Sequence, residues 1–281
     1  MDLSDDSIRV AEDDELRSSH IRELIQEIVP VTSATLPASI EIPKVLVQFW
    51  HDLEAIPKDV QGCLESWQQL ETLGFKRLLF NDASARQFIE TQLGKRHVNA
   101  FDLCHHPAMR CDYFRLCYIV TRGGFYVDAD ELYQGTLCER LFHDKRLKLQ
   151  PLCYDKASDS MLDPSVFLQT QRRSPGWIYY VNNNPIIAPR GHAVIHIALQ
   201  RATEILLNCS GTPEIQSTTG PGNLSASLVR HSITSTTNVE GKDFLLLSDW
   251  ATYSISPWPL SYRNDQRNWR LWDPQRSGSR L

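Results

Sequence analysis

The sequence predicts an α/β fold in which helices flank a mainly parallel central sheet. Short apolar runs alternate with longer helical patterns along most of the chain, as in proteins whose strands are joined by helices. An apolar content of 42% over 281 residues is sufficient for a large core. Ligands of such sheets bind at the carboxyl ends of the strands, so residues that follow strands are the first functional candidates.

Five strands and five helices are expected in alternation. The strands are expected near 43–49, 76–80, 124–128, 147–153 and 185–188. The helices are expected near 57–71, 83–92, 107–122, 192–207 and 223–231.

The N-terminal region has a different composition. Residues 1–14 are acidic and are expected to form a frayed tail. Apolar side chains at helical spacing over 16–28 predict an amphipathic helix, and 31–39 is expected to be a linker. The chain is therefore divided into an extension, 1–39, and one α/β domain, 40–281.

The most informative segment is a buried helix that leads into a short strand. Residues 109–120 are almost all apolar or aromatic, which indicates a helix buried on most sides. Asp112 and Arg115 are exceptions, and their spacing of three places them on one face. Gly123 matches a helix stop, because glycine readily adopts a left-handed conformation.

Two aspartates, Asp128 and Asp130, follow the strand. Extended backbone directs both carboxylates to one side, where they repel each other unless a cation lies nearby. A hard divalent ion, Mn²⁺ or Mg²⁺, with phosphate oxygens as further ligands, suits this pair. A DXD pattern alone is weak evidence, because about one is expected by chance in such a chain. A solvated acidic turn is the alternative.

The whole string resembles the glycosyltransferases with a DXD sugar-binding region, which include mannosyltransferases, capsular polysaccharide synthesis enzymes and, more distantly, clostridial glucosylating toxins. Asp112, Arg115, the Gly-Gly pair, Asp128 and Asp130 carry the likeness. The resemblance implies a GT-A fold and a retaining hexosyltransferase that uses a UDP- or GDP-sugar. It implies that Asp130 and Asp128 bind Mn²⁺ or Mg²⁺, and that Asp112 and Arg115 bind sugar and phosphate. A structural Asp112–Arg115 ion pair is the alternative.

Other segments extend the resemblance. The strand that contains Gln48 and Trp50 resembles the family's opening strand, which implies that both contact the donor base. A core position for Trp50 is the alternative. Tyr126 and Asn183 are also assigned to the donor, and the run of asparagines at 182–184 leaves the aligned asparagine open by one position.

The C-terminal end departs from the family pattern. Many relatives have a histidine there, followed by Ser-Trp, that completes the metal shell, whereas residues 264–269 contain no histidine. Asn264, Asp265 and Asn268 are candidate oxygen ligands, and 248–250 is a competing match. The third metal ligand is therefore left open.

Weaker patterns receive simpler interpretations. Residues 219–221 resemble a Thr-Gly-Pro turn near the family's acceptor, with an ordinary turn as the alternative. His105 and His106 are expected at a helix start, and His192 and His196 on a helix surface rather than in a zinc site.

Composition limits the function classes. A net charge of −5 and a pI near 6.0 argue against general nucleic-acid binding. No apolar run approaches the length of a transmembrane helix, and peripheral membrane contact is left open. Seven scattered cysteines without CxxC are typical of reduced thiols. The expected location is the cytoplasm of a bacterial-type producer, and a secreted effector without a classical signal is the alternative.

The predicted function is transfer of a hexose to a saccharide or glycan in polysaccharide biosynthesis. A toxin-like effector that glycosylates a protein acceptor is one alternative, and a catalytically idle relative that binds a nucleotide sugar is another. A dehalogenase-like phosphatase is disfavoured, because Leu132 stands where that class usually has threonine.

Overall fold

The central sheet has seven strands in a computed structural model that describes residues 3–27, 41–136, 139–169, 172–235, 242–257 and 259–272. Its strands are β1 (Val45–Phe49), β2 (Lys76–Phe80), β3 (Gly124–Tyr126), β5 (Leu147–Asp155), β6 (Ser160–Met161), β7 (Trp177–Ala188) and β8 (Phe244–Leu246). A separate pair is formed by β4 (Leu132–Tyr133) and β9 (Ser254–Ile255).

The strand order is β2-β1-β3-β7-β5-β6, and β8 also pairs with β5. β1 is parallel to β2 and β3, while β7 is antiparallel to both β3 and β5. β8 is parallel to β5, and β6 is antiparallel to it. β2, β1, β3, β5 and β8 therefore run in one direction, and the predicted α/β class with a mostly parallel sheet is confirmed.

Helices cover the sheet and connect its strands. They are α1 (Leu3–Glu12), α2 (Asp14–Gln26), α3 (Lys58–Ser66), α4 (Asp82–Leu93), α5 (Lys95–Asp102), α6 (Pro107–Arg122), α7 (Arg140–His143), α8 (Pro164–Phe167), α9 (Ala193–Asn208), α10 (Ile215–Thr218) and α11 (Pro221–Thr234). No described helix combines the length and the apolar character that a membrane crossing requires.

The core lies on both sides of the sheet, because successive residues of each strand face opposite ways. Leu46 and Phe125 belong to one apolar cluster, whereas Val47 and Tyr126 belong to the other. All four are fully buried, so β1 and β3 are covered on both faces. Their carboxyl ends, in contrast, open toward a cavity.

Two adjacent glycines fix the approach from α6 to β3. Gly123 ends the helix with φ of 68°, and a Cβ there would lie 2.6 Å from the nitrogen of Arg190. Gly124 has φ of 115°, and its Cβ would lie 2.9 Å from the oxygen of Val45. Any larger residue at either position meets both backbone strain and a collision. The helix stop predicted at Gly123 is therefore confirmed.

The prediction of a frayed N-terminal tail is wrong. Residues 3–12 form α1, in which Ser7 and Ala11 are buried, and Glu12 pairs with Arg201. Helix α2 is amphipathic as predicted, and its Ser18 Oγ accepts a hydrogen bond from the nitrogen of Tyr179 in β7. The acidic side chains lie on the outer face of a docked helix. Composition alone does not distinguish such a helix from an acidic, unfolded tail. The predicted linker at 31–39 lies outside the described residues.

Candidate active site

A cavity of about 590 Å³ lies at the carboxyl ends of β1 and β3. Its wall includes Asp112, Arg115, Asp128, Asp130 and Asn183, which come from α6, from the loop after β3 and from β7. Five residues assigned from the sequence are thus brought together by three separate elements, at the edge of the sheet where ligands were expected.

Asp112 and Arg115 contact each other on the face of α6 that meets β7. Arg115 Nη2 lies 2.8 Å from Asp112 Oδ1, and Asn183 Nδ2 donates to the same oxygen at 2.9 Å. Thr219 also hydrogen-bonds to this carboxylate. Burial raises the pKa of Asp112 to about 6, although Arg115 opposes the shift. Of the three asparagines left open by the sequence, Asn183 is the one that reaches this pair.

Arg115 connects the helix to the DXD loop. Its Nη1 donates to the carbonyl oxygen of Asn183 at 2.7 Å, and its Nη2 donates to Asp128 Oδ1 at 2.8 Å. The guanidinium also lies over the ring of Tyr126, 4.4 Å from its centroid. Burial opposes the charge of Arg115, but Asp128, Tyr126, Asp112 and Cys111 together outweigh it and hold the pKa of the guanidinium well above its usual range. The Asp112–Arg115 ion pair, which was the alternative to a ligand-binding role, exists, and it includes Asp128.

Asp128 is held mainly through one of its two carboxylate oxygens. Oδ1 accepts from Arg115 and from the hydroxyl of Tyr126 at 3.1 Å, while the described residues place no hydrogen bond on Oδ2. Burial raises the pKa of this carboxyl, and Arg115 opposes the increase. Tyr126 does not line the cavity, but it contacts Asp128, Arg115 and Cys111, which do.

Asp130 is contacted from the C-terminal segment. The hydroxyl of Tyr262 and Nη2 of Arg263 both donate to Asp130 Oδ2, each at 2.6 Å. Oδ1 of Asp130 accepts no hydrogen bond from the described residues. Neither Tyr262 nor Arg263 was identified from the sequence, since no local pattern links residue 263 to residue 130.

Asn184 fixes the loop that carries the two aspartates. Its Oδ1 accepts from the nitrogen of Asp128 at 2.9 Å, and its Nδ2 donates to Glu131 Oε1 at 3.0 Å. Glu131 also accepts from the hydroxyl of Ser254 in β9. Burial raises the pKa of Glu131 to about 8. Asn184 and Glu131 therefore position the loop that carries the motif. This role of Asn184 could not be predicted from the run of asparagines in the sequence.

The carboxylates suit a hard cation that takes other ligands from its substrate. In the described parts of the chain no group of three His, Cys, Asp or Glu side chains is arranged to hold a metal by itself. Asp128 and Asp130 nevertheless each keep an oxygen without a described partner and face one cavity. Mg²⁺ and similar ions are commonly bound by one or two carboxylates together with phosphate oxygens. The donor set thus fits a metal–diphosphate complex better than a free metal ion.

The two predicted C-terminal metal ligands require correction. Asn264 is exposed and does not line the cavity. Asn268 does line it, but its Nδ2 donates to the oxygen of Arg263 at 2.7 Å, and its Oδ1 accepts from the nitrogen of Arg270 at 3.1 Å. The side chain of Asn268 therefore stabilises a turn, and this turn directs Tyr262 and Arg263 inward instead.

The two residues predicted to bind the base differ in position. Trp50 lines the cavity, packs edge-on against Tyr262 with ring centroids 5.4 Å apart, and has a buried Nε1 without a hydrogen-bond partner among the described residues. Gln48 is 2% exposed within β1 and is absent from the cavity wall. Because it lies inside the strand rather than after it, Gln48 does not reach the ligand space.

Two of the three histidines described below, His106 and His196, lie where the sequence predicts, and His192 does not. His106 caps α6, because its side chain accepts from the nitrogen of Ala108, as expected for a helix start. His196 is exposed, as expected, but His192 is buried and its Nε2 lies 3.1 Å from the oxygen of Asp243. This long-range contact with Asp243, the residue before β8, could not be seen in the local pattern.

Comparison with known proteins gives a match at the DXD segment. Residues 57–148 match the family described as "Glycosyltransferase sugar-binding region containing DXD motif". The chain carries a glycosyltransferase sugar-binding region. The match includes Asp112, Arg115, Asp128 and Asp130, and it confirms the predicted family and the enzyme class, a glycosyltransferase.

Among solved structures, the glycosyltransferase is similar to a protein described as "PaToxG Glycosyltransferase". The similarity covers 95% of each chain, with a TM-score of 0.45 and 11% sequence identity. The search of curated proteins found no match. The functional argument therefore depends on the family match and on the geometry of the cavity.

Proposed function

We propose that this glycosyltransferase is metal-dependent and retaining, and that it transfers a hexose from a UDP- or GDP-sugar to a saccharide or glycan acceptor. The observation that supports the proposal is the convergence of Asp112, Arg115, Asp128 and Asp130 on one cavity at the carboxyl ends of β1 and β3. A role in polysaccharide biosynthesis and a cytoplasmic location form part of the same proposal.

Asp128 and Asp130 would hold the divalent ion, which we propose to be Mn²⁺ or Mg²⁺. When bound, such an ion acts as a Lewis acid on the departing diphosphate. Arg115 keeps Asp128 oriented, because it is itself fixed by the carbonyl of Asn183. A preorganised arrangement of charges is typically the largest contribution to catalysis, since no reorganisation is needed during the reaction.

Asp112 would bind the sugar of the donor. Its carboxylate already accepts hydrogen bonds from Asn183 and Thr219, and it lines the cavity beside the motif. An ionised carboxylate has further acceptor positions, so it can orient sugar hydroxyls with strong, charge-assisted hydrogen bonds. Retention is proposed from the family resemblance, without a protein nucleophile.

Different residues of the cavity wall suit different ligands. The ring of Trp50 forms part of the wall, where a base can stack on it. Elsewhere the wall contains Met161, Tyr180 and Ile255, and Met161 and Ile255 are 45% and 42% exposed. Apolar and aromatic surface of this kind can pack against the faces of a pyranose. We therefore propose that this part of the cavity receives a saccharide acceptor.

Donor binding and transfer test the proposal directly. Thermal unfolding is measured with UDP-glucose, UDP-galactose, UDP-N-acetylglucosamine and GDP-mannose, each with Mn²⁺ and with a chelator. We expect one nucleotide class to raise Tm only when the metal is present, because a ligand of the native state stabilises it. If no donor raises Tm and no donor is hydrolysed, the proposed function is wrong.

The acceptor class requires a separate measurement. The enzyme is incubated with the labelled donor and a cell lysate, and the label is then followed into glycan or into protein. Label in glycan supports the saccharide acceptor, whereas label in protein supports the effector alternative. Absence of transfer together with tight donor binding would indicate the catalytically idle alternative.

A further inference from the structure

We propose that Arg263 takes the place of the divalent ion at Asp130 before the substrate binds. When the ion binds, the guanidinium of Arg263 moves from this carboxylate to the diphosphate of the donor. The inference rests on the proposed function and adds a specific diphosphate-binding residue to it. It concerns a segment outside the residues that match the family, 57–148.

The contact between Arg263 and Asp130 is direct and well shielded from solvent. Nη2 of Arg263 lies 2.6 Å from Asp130 Oδ2, and the side chains are 14% and 16% exposed, respectively. A charge-assisted hydrogen bond of this length is strong, and limited exposure reduces screening by salt. The pair is thus a substantial interaction that a metal ion has to replace.

The charges in the cavity require a cation at this position. Asp112, Asp128 and Asp130 line one cavity, and Arg115 contacts the first two of them. Arg263 is the cation in contact with the third. Without Arg263, Asp130 would share the cavity with two other carboxylates and would contact no cation among the described residues, which is unfavourable in a poorly solvated site.

Two other arginines of the cavity wall contact residues other than Asp130. Arg267 pairs with Asp265 at 2.6 Å, and Arg270 lies over the ring of Trp269, 4.7 Å from its centroid. Within the described residues, Arg263 is therefore the cation placed to exchange with a metal at Asp130.

The segment that carries Arg263 is anchored so that the side chain can move while the backbone stays. The nitrogen of Ser261 donates to Asp59 Oδ2 at 2.5 Å, and its hydroxyl donates to Asp59 Oδ1 at 2.9 Å. Arg263 also donates to the hydroxyl of Ser256 at 2.7 Å. This second acceptor gives the guanidinium a place at the rim of the cavity once it leaves Asp130.

A metal ion and Arg263 compete for the same carboxylate. A divalent ion at Asp130 repels a guanidinium only a few ångströms away, so the two cannot share the site without an additional anion. The diphosphate of the donor supplies that anion and can be bound by both cations. Metal and nucleotide should consequently bind with positive coupling, because each removes an obstacle to the other.

Metal and nucleotide affinities of Arg263→Gln test this competition. Titration calorimetry is performed with Mn²⁺ alone, and then with UDP and with GDP at saturating Mn²⁺. In the variant, we expect Mn²⁺ alone to bind roughly fivefold to tenfold more tightly, and the nucleotide to bind weaker by a similar factor. Arg263→Lys should restore part of the nucleotide affinity, because it retains a positive charge. Arg86→Gln is the matched control, since Arg86 pairs with Asp102 on the surface.

Opposite changes in the two affinities are required. If Arg263→Gln weakens both Mn²⁺ and nucleotide binding, Arg263 only supports the fold of the segment and the inference is wrong. If neither affinity changes, it is equally wrong. Failure of the wild-type protein to bind either nucleotide would contradict the proposed function instead, while the titration with Mn²⁺ alone still reports on Arg263.

Discussion

Two segments of different construction meet at Asp130. The first is continuous in sequence: α6, the Gly-Gly turn, β3 and the loop that ends at Glu131. The second is the short C-terminal segment that contains Tyr262 and Arg263. The first is buried and held by hydrogen bonds with β7, whereas the second is only partly buried and contacts the first through a few polar groups. A buried scaffold thus presents the carboxylates, and we propose that the lighter segment controls what binds to them.

The largest expected effect is on activity at the rigid segment. Asp130→Asn removes a carboxylate that we propose as a metal ligand, so kcat/KM for donor turnover should fall by about 10²–10³-fold. Turnover with saturating Mn²⁺ measures the change. Asp102→Asn is the control, because Asp102 lies on the surface and pairs with Arg86. Turnover of Asp130→Asn within a few-fold of the wild-type value would contradict the assignment of Asp130.

The largest expected effect on stability lies in the same segment. Gly124→Ala places a Cβ 2.9 Å from the oxygen of Val45 at a φ of 115°. The free energy of unfolding should fall by about 2–4 kcal/mol, because strain and collision add. Gly62→Ala is the control: Gly62 is in α3 with no atom within 4 Å of an added Cβ, and alanine there should be neutral or stabilising. Urea unfolding distinguishes the two, and equal stabilities would show that the turn tolerates a side chain.

An intermediate effect is expected from pH. Burial raises the pKa of Asp112 to about 6 from 3.8, so donor turnover should fall about tenfold for each unit below pH 6 as this carboxylate is protonated. Stability should show the opposite trend. The stabilising contribution of protonated Asp112 is fully present below pH 3.8 and is lost as the pH rises through about 6.

The variant Asp112→Asn separates this group from others. Its turnover should be lower at every pH, and the decrease below pH 6 should disappear from its profile. A profile that keeps the same acid limb in Asp112→Asn would assign the limb to another group. Urea unfolding of both proteins between pH 4 and pH 7 checks the accompanying trend in stability.

The smallest effect is expected in the C-terminal segment. Tyr262→Phe removes one hydrogen bond to Asp130 and leaves the ring against Trp50. The affinity for the metal–nucleotide complex should change by roughly threefold to tenfold, which corresponds to about 0.5–1.5 kcal/mol for a single hydrogen bond. Titration calorimetry measures it. If the affinity fell by as large a factor as kcat/KM is expected to fall in Asp130→Asn, the second segment would be as essential as the first.

Sequence predicted the first segment far better than the second. The helix at 107–122 and the strands near β1, β2, β3 and β5 were located because apolar periodicity and glycine signals are local. β7 begins at Trp177 instead of near 185, because its amide-rich part does not look like a strand. α5, β4, β6, β8 and β9 were not predicted, and most of these elements are very short.

The same division holds for the site residues. Asp112, Arg115, Asp128 and Asp130 line one cavity, and the sequence could place them near one another because a spacing of three on a helix and a spacing of two after a strand fix their relative directions. Asn264 and Gln48 were misplaced, since whether a residue near a strand end or in a turn faces a cavity depends on distant packing. Asn184 and Arg263 were missed for the same reason: each acts on a residue more than fifty positions away.

The sequence by itself determined the family, the α/β class and the pair of carboxylates, because these depend on short-range periodicity and on one continuous motif. Only the tertiary structure decided that α1 docks on the body of the protein, that Asn183 contacts Asp112 while Asn184 holds the loop of the motif, and that Arg263 faces Asp130. The physical reason is that such contacts join elements far apart in the chain, and they are selected by packing and charge balance in the folded state rather than by any local conformational preference.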